Sequence, residues 1–353
     1  MTRRIVIIGA HAAGVDAASA ARKTDRTAEI TLISNEKYVG YSRCGLPFVL
    51  GGQIPSFQSL IVFPPAFFQM MKLNLKTETK VTTINAANKT VETTDNTGKT
   101  ENIPYDTLII AAGAGSFTPP IKGKEKQGIH SLRTLEDGEK IDEAIKKGAK
   151  TAVVMGAGLI GLETAIALHE RGIRVTVVEL LPQVLPAMLD ADMAKMVHEM
   201  LQEKGVGIMT GKGVEEFLGT ENVTGIVAGG EQFDADLFIS AFGVRANTQL
   251  ATNAGIALGE TKMIKTSAKM ETNVKDVYAV GDCAESTHIV TQKPTVAQLG
   301  TVAVRQGKVA GINAGGGYAL FTGVLGSAVS RLFDTDVGVT GLTEFFAQKN
   351  GIE

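Results

Sequence analysis

The chain alternates short apolar runs with alanine-rich stretches of helical period. The segments 4–8, 29–34, 105–113, 151–155, 174–179, 236–243 and 274–282 each hold a short apolar core, such as Ile5-Val6-Ile7-Ile8, Leu108-Ile109-Ile110 and Ala152-Val153-Val154-Met155. Runs of that length without polar alternation read as parallel strands buried on both faces. Between them, 12–26, 135–147, 159–171, 191–205 and 298–314 carry apolar residues at helical spacing. Segment 37–57, punctuated by Gly40, Gly45, Pro47, Gly51, Gly52 and Pro55, reads as a loop. Pro64-Pro65 opens a helix to Lys72. Antiparallel strands are expected over 79–100, around the turns Asn88-Lys89 and Asn96-Thr97-Gly98. Pro119-Pro120 marks a crossing into a second domain, Gly315-Gly316-Gly317 a hinge or loop, and 321–346 strand-like runs followed by a helix start.

Two of these strand-to-helix junctions are rich in small residues. Gly9-Ala10-His11-Ala12-Ala13-Gly14 follows the first strand, and Gly156-Ala157-Gly158-Leu159-Ile160-Gly161 follows the strand at 151–155. Glycine lets the backbone approach a pyrophosphate, and the helix N-terminus supplies N–H donors and a positive dipole. Two such units imply two dinucleotides, and electron transfer between them. Glu179, at the end of the strand after the second turn, is the residue expected to accept hydrogen bonds from an adenosine ribose. Leu180 and Leu181 follow it with no arginine, which favours NADH over NADPH. The first turn is less regular: His11 replaces its middle glycine, Ser34 stands at the usual strand end, and Asn35 and Glu36 come next. Gly281-Asp282 closes a buried strand, where an aspartate at a helix N-terminus can hold a ribityl hydroxyl or cap the helix.

Composition narrows the remaining classes. At 353 residues, with 44% hydrophobic residues and 40 glycines, the chain suits a cytoplasmic α/β enzyme of two or three domains. A net charge of −2 offers no footprint for nucleic acid. No apolar run is long enough to span a membrane, and the opening basic-apolar stretch reads as a strand rather than a signal peptide. Only Cys44 and Cys283 are present and the five histidines are scattered, so neither a disulfide scaffold nor a metal cage is expected.

The ordered motifs 272–282, 107–113 and 242–247, together with the two glycine turns, resemble those of the pyridine nucleotide-disulfide oxidoreductases. The resemblance covers essentially the whole chain. It implies an α/β fold with two Rossmann-like dinucleotide-binding domains, for FAD and NAD, of the glutathione-reductase type, plus the start of a third α+β domain. The expected boundaries are 1–117 and 245–318 for the FAD domain, 118–244 for the NAD domain and 319–353 for an incomplete interface domain. On this resemblance the FAD contacts fall on Gly9, Ala10, His11, Ala12, Ala13, Gly14, Ser34, Asn35, Glu36, Arg43, Val81, Ala111, Ala112, Gly113, Gly281, Asp282 and Ala297. The nucleotide contacts fall on Gly156, Gly158, Leu159, Ile160, Gly161, Glu163, Glu179 and Gly243. Glu163 would bond the nicotinamide amide, and Leu159 stands where many relatives carry a gating aromatic.

Tyr41-Ser42-Arg43-Cys44-Gly45-Leu46-Pro47-Phe48 is similar to the single-cysteine region of coenzyme A-disulfide reductases, NADH oxidases, NADH peroxidases and persulfide reductases. No second cysteine follows at the glutathione-reductase spacing, where Phe48 and Val49 stand. The resemblance therefore implies one redox cysteine, Cys44, its thiolate favoured by positive surroundings from Arg43 and a nearby helix N-terminus. Cys283 reads as structural. The implied partners are small molecules: a disulfide, persulfide or polysulfide, or else oxygen or peroxide through a cysteine sulfenate. A rubredoxin- or ferredoxin-reductase-like transfer to a protein is a third reading, opposed by Cys44. Asp16, Ala20 and Lys23 align with the positions that hold coenzyme A; Asp16 would repel phosphate and Ala20 offers no hydrogen bond. Gly40 and Arg43 also depart from the Ser and Asn found near the cysteine in coenzyme A-disulfide reductases. His11 either acts near the flavin or replaces glycine beside the phosphates. The resemblance implies a homodimer through the interface domain, which is expected to be incomplete here and leaves the dimer open.

Overall fold

The structure is a computed structural model that describes residues 2–352. The chain forms two compact units. One contains 2–42, Ile61–Gly115 and Ala246–Gly326; the other contains Arg43–Leu60, Ser116–Arg245 and 327–352.

The first unit is built on a five-stranded parallel sheet. Its order is Val277–Ala279, Thr107–Ile110, Arg4–Ile8, Glu29–Ile33 and Asn74–Lys76. Ile5 stands opposite Ile30 on one side and Thr107 on the other. Ile5, Ile7, Leu32, Leu108 and Ile109 are fully buried, as expected for strands covered on both faces. The Ala12–Thr24 and Gly300–Ala314 helices pack together through small residues. A Cβ at Gly307 would collide with the Ala13 carbonyl oxygen, and one at Gly311 with that of Ala17. Asp106 locks the entrance of the sheet: its carboxylate accepts from the Arg4 backbone N–H at 2.8 Å and from the Arg4 guanidinium at 2.8 Å. The Arg4 side-chain hydrogen bond is the main cause holding the Asp106 carboxyl at about 2, below its ordinary 3.8. The antiparallel strands are Thr79–Asn85, Thr90–Asp95 and Thr100–Pro104, so the third continues past the expected limit at Thr100. The Asn74–Lys76 edge strand carries no apolar run and left no signal in the pattern.

The second unit repeats the plan, in the order Gly207–Met209, Arg174–Val178, Thr151–Met155, Leu237–Ser240 and Ile129–His130, all parallel. Val214–Leu218, Gly225–Ala228 and Glu231–Asp234 add an antiparallel sheet. The Leu135–Lys146 helix opens on a capping box between Thr134 and Asp137.

The cysteine segment belongs to this unit and corrects the loop expected over 37–57. It folds as a 3₁₀ turn at Arg43–Gly45, a helix at Leu46–Leu50 and a 3₁₀ turn at Phe57–Leu60. Close packing holds this segment in place. Gly45 lies under the Leu60 side chain, where a Cβ would clash with Leu60 Cδ2, and Gly138 lies under the Phe57 ring. The Arg171 guanidinium donates to the Leu50 carbonyl at 2.9 Å and to Asp142 at 3.1 Å, which ties the short helix to its neighbours. The last stretch forms a hairpin, Ala328–Leu332 with Thr335–Val339, and a helix at Glu344–Lys349. The Asp190 carboxylate accepts from the Glu344 and Phe345 backbone N–H groups at the start of that helix.

Two outcomes are expected from this packing. Gly161→Ala places its methyl on the Gly156 carbonyl oxygen and should cost about 1–3 kcal/mol in urea unfolding. Asp106→Asn should flatten the acid limb of the stability curve. The carboxyl sits lower in the folded chain than in the unfolded one, so its contribution is complete above about pH 4 and is lost as pH falls towards 2.

Candidate functional site

In the first unit, the turn after the Arg4–Ile8 strand is built on close backbone contacts. Gly9 has φ +108°, donates to the Ile33 carbonyl at 2.7 Å, and lies so close to Ala111 that a Cβ would strike that residue's carbonyl oxygen. A Cβ at Gly14 would strike the Gly9 carbonyl oxygen. Ala10 is fully buried, Ala13 nearly so, and Ala12 opens the helix. His11 takes the middle position with φ −115° and ψ −159°, extended backbone that any residue adopts, so glycine is not required there for conformation. Its ring is drawn aside: it stands edge-on to Tyr41 at 4.7 Å, with Nε2 3.2 Å from Glu36 Oε2. The Tyr41 hydroxyl donates to the same oxygen at 2.8 Å. Glu36 therefore braces His11 and Tyr41. Buried Ser34 accepts from the Glu36 backbone N–H at 3.2 Å, and Asn35 is exposed.

The end of the Thr107–Ile110 strand presents Ala111, Ala112 and Gly113, the last with φ +64°. Asn247 fixes them by donating its amide to the Ala112 carbonyl at 2.8 Å and its backbone N–H to Gly113 at 3.0 Å. Gly281, φ +74°, is held by Gln306, which is fully buried in the long helix. Gln306 Oε1 accepts from the Gly281 N–H at 2.8 Å and Nε2 donates to Ser286 Oγ at 2.9 Å. Sequence reasoning missed Gln306; its signal was an amide among the alanines and glycines of one helix face. The expected helix N-terminus at Asp282 is a three-residue 3₁₀ turn, Gly281–Cys283, with no side-chain cap. The long helix begins only at Gly300, because Leu299 is still extended. Val81 and Ala297 are buried. Cys283 is fully buried, its thiol donates to the Val280 carbonyl at 3.3 Å, and burial pushes it up to about 11.

In the second unit, Gly156 has φ +113°, donates to the Val178 carbonyl at 2.8 Å, and abuts the Ala241 carbonyl; a Cβ at Gly161 would strike the Gly156 carbonyl oxygen. The middle residue differs. Gly158 has φ −77° and no protein atom within 4 Å of a Cβ built on it, so glycine here leaves space on the outer side of the turn. A cradle with one face open and backbone N–H groups at the start of a helix fits a pyrophosphate. Glu179 is nine-tenths buried: Oε2 accepts from the Ala157 N–H in the turn at 2.7 Å and Oε1 from the Leu181 N–H at 2.8 Å. Leu180 and Leu181 are exposed.

Leu159 is half-buried and Ile160 exposed at the start of the helix. A cavity of about 20 Å³ is lined by Ile160, Ser240, Gly243 and Arg133. A second, of about 70 Å³, is lined by Phe48, Gln53, Glu163, Ile166, Arg331 and Phe333, among others. Burial raises the Glu163 carboxyl above its ordinary range, and the hydrogen bond from Ser330 Oγ, 2.6 Å to Oε1, opposes that rise. Cys44 is exposed in the turn before the Leu46–Leu50 helix. Arg43 beside it donates to the Arg133 carbonyl at 2.7 Å. Among the described residues no cluster of His, Cys, Asp or Glu has metal-binding geometry, and no helix is long and apolar enough to cross a membrane.

Comparison with known proteins agrees with this geometry. Residues 3–307 match the family model described as pyridine nucleotide-disulphide oxidoreductase. An NADH oxidase of Methanocaldococcus jannaschii is 42% identical over 346 residues, which are 98% of this chain and 77% of that protein. An NAD(P)H coenzyme A polysulfide/persulfide reductase of Pyrococcus horikoshii is 32% identical over 354 residues, covering all of this chain and 79% of the relative. The solved structure of an NAD-dependent persulfide reductase from A. fulgidus superposes with a TM-score of 0.96 at 40% identity, over 99% of this chain and 66% of that one. The chain thus spans about three quarters of these curated relatives and just under two thirds of the solved one. It belongs to the pyridine nucleotide-disulphide oxidoreductases, FAD-dependent enzymes that oxidise NAD(P)H.

The two thiols should separate chemically. Iodoacetamide at pH 8 should label Cys44 in the folded protein and reach Cys283 only after denaturation, as peptide mass analysis would show. Equal labelling of both in the folded protein would contradict the burial.

Proposed function

We propose that this chain passes two electrons from NADH, by way of FAD, to the Cys44 thiol, which reduces a small disulfide, persulfide or polysulfide. The observation that carries the reading is the contrast between the two cysteines: one exposed in a structured turn, the other buried and held protonated. FAD is assigned to the unit holding Gly9, Gly14, Ala111, Gly113 and Gly281; Gly9 and Gly14 lie so close to backbone carbonyl oxygens that no side chain fits on the inner side of the turn. The nicotinamide nucleotide is assigned to the unit holding Gly156, Gly158 and Gly161, with Glu179 at the ribose and Glu163 at the carboxamide. Leu180 and Leu181 provide no cation for a 2′-phosphate, which favours NADH. The expected domain limits at 117, 244 and 318, and a homodimer, remain part of this reading.

Bound FAD supplies a carrier that accepts hydride from a nicotinamide and returns an electron pair to sulfur. The chain's own chemistry is thiolate exchange. The Cys44 thiolate attacks one sulfur of the substrate, forms a mixed disulfide or persulfide, and releases the other sulfur as a thiolate. NADH then supplies the two electrons that regenerate the Cys44 thiolate, and the bound fragment leaves as a thiol or hydrosulfide. Asp16 lies 3.8 Å from Lys308, which reduces the repulsion that Asp16 would exert on a phosphate-bearing substrate. A second reading, favoured by the 42% identity to an NADH oxidase, is reduction of oxygen or peroxide through a Cys44 sulfenate.

Cys44→Ser and Cys44→Ala should keep FAD and NADH oxidation by an artificial dye, yet lose polysulfide or coenzyme A disulfide reduction by about a hundredfold or more. NADH consumption followed with each acceptor, and with air or peroxide alone, separates the two readings. Unchanged turnover of all natural acceptors in these variants would reject the role of Cys44.

A further inference from the structure

We propose that Ser330 is a positioning residue for Glu163, fixing one carboxylate oxygen so that the other is presented to the nicotinamide carboxamide. The inference rests on the assignment of Glu163 to that group.

Ser330 lies in the Ala328–Leu332 strand, far along the chain from Glu163, and is 5% exposed. The strand alternates: Ser330 and Leu332 face inward, while Val329 and Arg331 face outward. A serine on an inward face costs free energy unless its hydroxyl finds an acceptor. Its Oγ donates to Glu163 Oε1 at 2.6 Å, a short bond of the charge-assisted kind. Among the described residues it is the one hydrogen-bond donor to that carboxylate.

Glu163 itself projects from the Leu159–Glu170 helix, whose neighbouring positions Leu162, Thr164, Ala165 and Ile166 are buried. The terminal torsion of a glutamate is broad, so a carboxylate held by nothing rotates freely. The other polar groups on the cavity wall are engaged elsewhere. Gln53 donates to Glu170 at 3.0 Å, and Arg331 lies 3.7 Å from Asp336. The hydrogen bond from Ser330 sets the carboxylate plane and favours its ionised form, which accepts from an amide N–H₂.

The test compares binding of NAD⁺ with that of ADP-ribose, which lacks the nicotinamide, to FAD-loaded protein by calorimetry. Ser330→Ala should weaken NAD⁺ about five- to tenfold and leave ADP-ribose unchanged. Ser330→Thr, which keeps the hydroxyl, should bind NAD⁺ as the unaltered protein does. Adding Ser330→Ala to Glu163→Gln should weaken NAD⁺ no further. Should Ser330→Ala fold poorly, Ser330→Cys keeps the volume with a weak donor and should show the same selective loss. Equal weakening of both ligands by Ser330→Ala would make Ser330 a structural residue only and overturn the proposal. So would unchanged NAD⁺ binding in Ser330→Ala while Glu163→Gln weakens it, and then the Glu163 assignment would stand. Unchanged NAD⁺ binding in Glu163→Gln would instead remove the assignment on which the inference rests.

Discussion

Two van der Waals contacts between backbone atoms organise this chain. In each unit the helix after the glycine turn docks on the strand before it so closely that its third glycine meets the carbonyl oxygen of the first, Gly14 on Gly9 and Gly161 on Gly156. No side chain fits between them. That approach aims the helix N-terminus and its N–H groups at the carboxyl end of the sheet, the place where a pyrophosphate would bind on the proposed reading. The first and third glycines serve the fold, and the middle position is left to the proposed ligand. That division is why His11 is tolerated: its backbone is ordinary, and its ring is pulled aside by Glu36 and Tyr41.

A second theme is that buried polar side chains act as struts for the turns. Glu179 spends one oxygen on the Ala157 N–H and the other on the Leu181 N–H, and Gln306 spends its amide on Gly281 and Ser286. Each satisfies a backbone group that would otherwise be buried without a partner, at a cost of about 1–3 kcal/mol. The same residues then hold the turn in shape for a ligand. Glu179 illustrates that a predicted ribose contact and a structural brace are compatible, because a carboxylate oxygen has a second lone pair to offer.

The two cysteines show how environment separates identical chemistry. Cys283 is enclosed by the sheet and bonded to main-chain carbonyls, and burial keeps its proton on. Cys44 sits exposed in a tight turn that Leu60, Phe57 and Arg171 anchor from beneath. For the proposed role of Cys44, an anchored turn combines access with fixed position, which exchange at sulfur requires.

The paired glycine turns, the strands buried on both faces and the family were legible in the residues themselves, because backbone sterics at φ above zero and two-sided burial act locally and leave a local record. The anchored fold of 43–60 was not: its glycines and prolines resemble loop punctuation until Leu60 is seen packed on Gly45 and Phe57 on the distant Gly138. Nor were the Gln306 brace or the bond from Ser330 to Glu163, since each joins groups far apart in the chain. Local sterics write themselves into neighbouring residues, but a hydrogen bond between distant segments exists only once the chain has brought them together, and that step belongs to tertiary structure alone.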